Sequence, residues 1–157
     1  MLKVPSRFSV MLSTALAVVL ALAVVAGAVF MPLICDMLIN ARDSISVRDD
    51  LGENDRVIVM VVAYLILAII LLADVLLFML LIKVRHSEVF TAGSVSLIRG
   101  VSWCCVALCA AFAVLGYYFY LSFVVSFLAV FLGLCLRVVK NVIEEAVEIK
   151  SENDLTV

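Results

Sequence analysis

A chain of 157 residues has room for one domain. With 67% hydrophobic against 15% charged residues, it holds too little polar surface to cover a soluble globule. That excludes a water-soluble fold and makes lipid the solvent. The net charge of −2 favours no class of partner by itself, so the information lies in where each charge sits.

The first apolar run, Phe8 to Cys35, contains no charged residue. Lys3 and Arg7 ahead of it resemble the start of a signal peptide, and Ala26-Gly27-Ala28 resembles a cleavage site. A signal core is only ~7–15 residues long, however, and this run continues well beyond that, so it is expected to be a retained span. Pro32-Leu33-Ile34 before Cys35 does not make a lipoprotein box, because the residue before the cysteine is not small. The second run, Val57 to Ile82, is interrupted only by Asp74, and the third, Gly100 to Leu136, is 37 residues long. A helix rising ~1.5 Å per residue crosses ~30 Å of hydrocarbon in ~20 residues. The first two runs therefore make one span each and the third is long enough for two. Its break is expected near Gly116 to Ser122, where glycine loosens the helix and Tyr117, Tyr118 and Tyr120 suit the membrane–water interface. The alternative is one long tilted helix, leaving three spans. The expected fold is all-α and polytopic: spans at about 9–34, 57–82, 100–117 and 120–137, then a tail helix over 138–152.

Orientation follows the basic residues. The first loop, Asp36 to Arg56, carries three arginines against six acids, whereas the other polar segments together hold eight lysines and arginines. Both termini, the second loop and the tail are expected in the cytoplasm, with the acidic loop and the tyrosine turn outside. Small residues at four-residue spacing (Ala17/Ala21, Ala23/Gly27) give span 1 a close-packing face, and Cys105, Cys109 and the alanines around them do the same for span 3. Spans 1 and 3 are therefore expected in close contact, with bulky span 2 turned broadly to lipid; alanine as mere apolar filler is the alternative.

Asp74 stands out. An aspartate at bilayer depth costs about 2.5–3.5 kcal/mol on insertion scales and usually faces the bundle interior with a partner. Depth counting places Cys109 and Ser126 nearest to it. Asp74 is then a neutral hydrogen-bonding residue that fixes packing, a proton or cation site in a transport path, or part of a ligand site. The five cysteines, Cys35, Cys104, Cys105, Cys109 and Cys135, have no CxxC spacing. Thiol oxidoreduction needs two close thiols at the outer face, and that placement is not expected here. His86, the single histidine, reads as a solvated loop residue, and Asp49, Asp50, Glu53 and Asp55 miss the EF-hand order, so no metal or other cofactor is expected. After Arg137, apolar residues recur at Val138, Val139, Val142, Ile143, Ala146, Val147 and Ile149, a helical spacing. The remaining positions carry an acidic surplus: Glu144, Glu145, Glu148, Glu152 and Asp154 against Lys140 and Lys150. Anionic lipid repels such a helix, so its apolar stripe needs protein, either the bundle itself or a partner.

The closing stretch Glu144 to Val157, with Lys150, Glu152-Asn153-Asp154-Leu155-Thr156 and Val157, resembles the "A-x-x-x-K-x-E-N-D-L-T-I/V" ending of a bacterial family of small four-span membrane proteins, domain of unknown function 2975. Phe90-Thr91, Val95, Ile98-Arg99 and Trp103 resemble its "F-S/T … N-V … L-R … W" stretch, with Ser94 where asparagine is usual. The resemblance implies a bacterial inner-membrane protein without an established activity, often encoded beside a small helix-turn-helix regulator. By analogy, the membrane protein would hold or release that regulator, and an acidic tail suits a basic DNA-binding domain. The leading expectation is thus a non-enzymatic protein that binds a small basic cytoplasmic regulator through Glu144, Glu145, Glu148, Glu152 and Asp154, without touching nucleic acid itself. A small proton- or cation-coupled transporter using Asp74, with Ser126 and Cys109 nearby, is the alternative. A homo-oligomer is compatible with either.

Overall fold

Inside hydrocarbon every backbone N–H and C=O must find its partner within the protein, and an apolar run meets that demand most locally as an α-helix. The computed structural model describes the backbone of residues 6–40, 53–85 and 91–154, and the side chains of 11–37, 54–85 and 91–149. Among the described residues it has four helices: α1 (Ser6–Asn40), α2 (Glu53–Arg85), α3 (Ala92–Gly116) and α4 (Tyr120–Asp154). Each contains a stretch long and apolar enough to cross a membrane. This is a multi-pass integral membrane protein. Three of the helices run for 33 to 35 residues, about 50 Å, so they project past a ~30 Å core.

The long third run is broken where interface-seeking residues meet a glycine. α3 ends at Gly116, and α4 starts at Tyr120. The intervening turn is held by N–H groups of Tyr118 and Phe119 donating to the Leu115 carbonyl, each at 3.0 Å. The glycine is needed for close approach: a Cβ there would lie 2.8 Å from the Phe123 ring and 3.4 Å from the Phe123 Cα. Past Arg137, α4 continues unbroken to Asp154, so the expected tail helix is an extension of the span itself.

Helices pack in chain order: α1 on α2, α2 on α3, α3 on α4. This corrects the expected contact between spans 1 and 3. Residues Ala17 and Val24 of α1 are buried against α2 instead, and Gly27 lies opposite Leu67. The small residues of α3 serve α4. A Cβ on Gly133 would stand only 3.1 Å from the Cys105 Cβ, so these two backbones approach as closely as side chains permit. The physical reason is connectivity. A short turn places α4 beside α3 along its whole length, and the small face of α3 is taken before α1 can reach it. With a neighbour on each side, α2 buries Val59, Ala63, Ile66 and Asp74 on one face while Leu65 and Leu72 remain exposed.

Antiparallel neighbours give the molecule two chemically distinct ends. The start of α1 and the end of α4 lie at the end that carries Lys83, Arg85, Arg99, Arg137 and Lys140, here called the basic end. Asp36, Asp55 and Arg56 mark the acidic end, where Cys35, Val59, Ala63, Tyr118 and Phe119 form a buried cluster joining α1, α2 and the tyrosine turn.

Pro32 lies inside α1 and has no N–H for the carbonyl of Ala28, four residues back. The hydroxyl of Tyr64 on α2 donates to that carbonyl at 3.3 Å, so a defect in one helix is repaired by its neighbour. This coupling is measurable. Tyr64→Phe should cost about 0.5–1.5 kcal/mol in thermal or denaturant unfolding of the detergent-solubilised protein. In a Pro32→Ala background the same change should cost almost nothing, because the restored amide takes the carbonyl. Equal costs in both backgrounds would separate the two features.

Candidate functional site at the basic end

α3 opens with a capped first turn. Thr91 is extended (φ −133°, ψ 150°), and its hydroxyl accepts from the N–H of Ser94, which is fully buried. This start fixes the register of α3 and sets Arg99 and Trp103 one turn apart on one face. From α4, Arg137, Lys140, Asn141 and Glu144 recur at the same spacing and meet them. The Arg137 guanidinium lies 5.6 Å from the centroid of the Trp103 ring, within reach of a cation–π attraction. Arg99 donates to Glu144 at 3.2 Å, and Lys140 pairs with the same carboxylate while donating to the Asn141 side-chain oxygen at 3.1 Å. Hydrogen bonding from Lys140 holds the Glu144 carboxyl below its usual range. Arg99, Ser102, Trp103, Arg137, Lys140 and Asn141 enclose an open cleft of about 240 Å³. A second hollow of about 220 Å³ lies against Val95, Arg99, Glu144 and Val147.

Between α3 and α4 two hydroxyls close the interface, Ser102 in the cleft wall and Ser126 deeper. Ser102 donates to the Gly133 carbonyl at 3.0 Å, and Ser126 donates to the Cys109 carbonyl at 2.9 Å, with its oxygen 3.3 Å from the Cys109 sulfur. Cys109 and Ser126 are thus brought together, but Asp74 is not joined to them. Its register explains this. Lys83 lies against Gly93 and Leu76 against Gly100, so the step from Lys83 to Leu76 along α2 matches the step from Gly93 to Gly100 along α3. Asp74 therefore stands level with Ser102, nearer the basic end than Cys109. Depth counting from Gly100 misjudged the level because α3 begins at Ala92. Asp74 is buried, and its Oδ1 has no hydrogen-bond partner among the described residues.

Of the tail acids, Glu144, Glu145 and Glu148 are all exposed, and Glu144 reaches across to Arg99. Glu152 and Asp154 belong to α4, but their side chains lie outside the described residues, as do His86 and the loop acids Asp49 and Asp50. Among apolar tail positions, Ile143, Ala146 and Val147 are half-buried, while Val138, Val142 and Ile149 are exposed. At the acidic end Tyr118 donates to Asp55 at 3.3 Å and Arg56 pairs with Asp36. Among the described residues no group of histidine, cysteine and acid side chains is placed to hold a metal. The cleft around Trp103 was not foreseen from sequence. The signal was available in the i, i+4 pair Arg99/Trp103 and the i, i+3 pair Arg137/Lys140, but nothing in the sequence alone shows that the two pairs meet.

The Arg99–Glu144 pair is one tie between the tail and α3. Arg99→Glu should quicken limited proteolysis within residues 144–154 by up to about fivefold, the range for an exposed pair worth 0.2–1 kcal/mol. The exchange Arg99→Glu with Glu144→Arg should recover part of that protection. An exchange that cleaves as fast as the single variant would remove the pair from the account.

No curated protein and no solved structure gives a significant match. A family model does match, over residues 44–157, which takes in α2, α3 and α4 and leaves α1 outside; its description is a protein of unknown function, DUF2975. The two stretches that carry the family resemblance, from Phe90 to Trp103 and from Glu144 onward, meet in the fold through the Arg99–Glu144 pair. With well over half of its length matched, the chain belongs to the DUF2975 family of proteins of unknown function.

Proposed function

We propose that this membrane protein is a non-enzymatic interaction protein of the bacterial inner membrane, with its basic end in the cytoplasm. There it presents the second loop and the acidic tail to a small basic partner of the helix-turn-helix regulator type. One observation carries the reading. α4 leaves the bundle as a continuous helix, held at Glu144, with Glu145 and Glu148 exposed beside Val138, Val142 and Ile149. A negative helix face with an apolar edge suits a basic protein surface and is repelled by anionic lipid. The excess of lysine and arginine at this end supports its cytoplasmic side. Glu144 serves as the anchor, so the contact falls to Glu145, Glu148, Glu152 and Asp154. Co-purification of the regulator with the detergent-solubilised full chain should fall at least tenfold when Glu145, Glu148 and Glu152 are all changed to lysine, and also when residues 145–157 are removed. Equal recovery from all three proteins would end the proposal.

A second reading rests on Asp74. A buried carboxyl oxygen without a partner, on the packed face of α2, is costly in a membrane and often marks a proton or cation path. In proteoliposomes, Asp74→Asn should abolish proton-coupled flux if the residue carries charge across. Unchanged flux, folding and expression in that variant would leave Asp74 a packing residue.

A further inference from the structure

We propose that the cleft between α3 and α4 at the basic end binds the phosphate of an anionic phospholipid headgroup. Three cations, Arg99, Arg137 and Lys140, line it with one carboxylate, Glu144, beside them, which leaves a surplus of two positive charges. Glu144 is already shared by Arg99 and Lys140. Arg137 has no carboxylate within ion-pair distance among the described residues, and its guanidinium rests instead near the face of Trp103. A guanidinium that stacks on an aromatic ring keeps its in-plane N–H donors available, and these match two phosphate oxygens at once. Lys140 is unusual for a surface lysine: its side chain is only 15% exposed, so its ammonium is held in the cleft wall and not extended into water.

Depth favours a lipid over a soluble anion. Arg137 is the first charged residue after the uncharged run that ends at Leu136, so the cleft opens at the level where headgroup phosphates lie. Trp103 is 59% exposed at the same level, with an amphipathic ring suited to that interface. Below the cleft, Val106 on α3 and Leu134 on α4 are exposed apolar residues along which acyl chains can lie. A cleft of about 240 Å³ admits a phosphodiester with part of its glycerol. Basic pockets between membrane helices recognise headgroups by this combination of charge and depth. The site is independent of the tail contact proposed above, since Glu145, Glu148 and Glu152 do not line it.

The chain supplies its own reporter, because Trp103 is its single tryptophan. Full-length protein in neutral detergent micelles is titrated with phosphatidylglycerol, with phosphatidylcholine, or with inorganic phosphate, and Trp103 emission is followed. The expected result is a saturable change with phosphatidylglycerol, little change with phosphatidylcholine, and none with inorganic phosphate in the same range. Lys140→Gln and Arg137→Gln should each shift the midpoint about tenfold, whereas Arg85→Gln, at the same end but outside the cleft, should leave it in place. Equal responses to the two lipids would overturn the proposal, as would an equal shift in Arg85→Gln, which would mean diffuse attraction. A response reproduced by inorganic phosphate would make this a free-anion site and overturn it too. Should the glutamine variants fail to fold, the comparison of the two lipids and phosphate on the unaltered protein still decides.

Discussion

A polar group inside hydrocarbon has no water to bond, and this one constraint organises most of what the structure displays. Helices satisfy it for the backbone, and the exceptions are met by neighbours. Pro32 orphans the Ala28 carbonyl and Tyr64 takes it up. Ser102 and Ser126 turn their hydroxyls onto the carbonyls of Gly133 and Cys109. In each case a side chain crosses from one helix to the next, so the same bonds that satisfy polar groups also tie neighbouring helices together. Asp74 stands apart, because its buried Oδ1 has no such partner among the described residues.

Lipid supplies no hydrophobic force between helices, so contact depends on how closely surfaces fit. That is why α3 and α4 make the tightest interface: Gly133 against Cys105, and two serines whose hydroxyls reach the opposite backbone. α1 packs mainly on α2, through the Tyr64 bond and the Arg56–Asp36 pair, and meets the tyrosine turn in the cluster around Cys35. The family match begins at residue 44 and takes in α2, α3 and α4.

Charge is arranged by depth as well as by sign. Both ends of the bundle carry ion pairs, but the basic end holds more cations than the nearby acids balance, gathered where α3 and α4 leave the membrane. Glu144 stands between the cleft and the tail. It holds the tail helix to Arg99, and by occupying Arg99 and Lys140 it leaves Arg137 over Trp103 as the donor facing outward.

The sequence by itself determined the helical class, the four membrane-crossing stretches, the break among the tyrosines and the family. Each depends on local composition: run length against bilayer thickness, and glycine with tyrosine at an interface. It also singled out Asp74, because one charge in an apolar run is conspicuous without any fold. Only the tertiary structure decided which helices touch, that Asp74 lies level with Ser102 and not with Cys109 and Ser126, and that Arg99, Trp103, Arg137 and Lys140 share one cleft. These depend on register and rotation between helices, set by where α3 begins and by a few close backbone approaches. Small residues on α1 and α3 look alike in sequence, and nothing local states that α4, arriving first through a short turn, takes the place α1 could have filled.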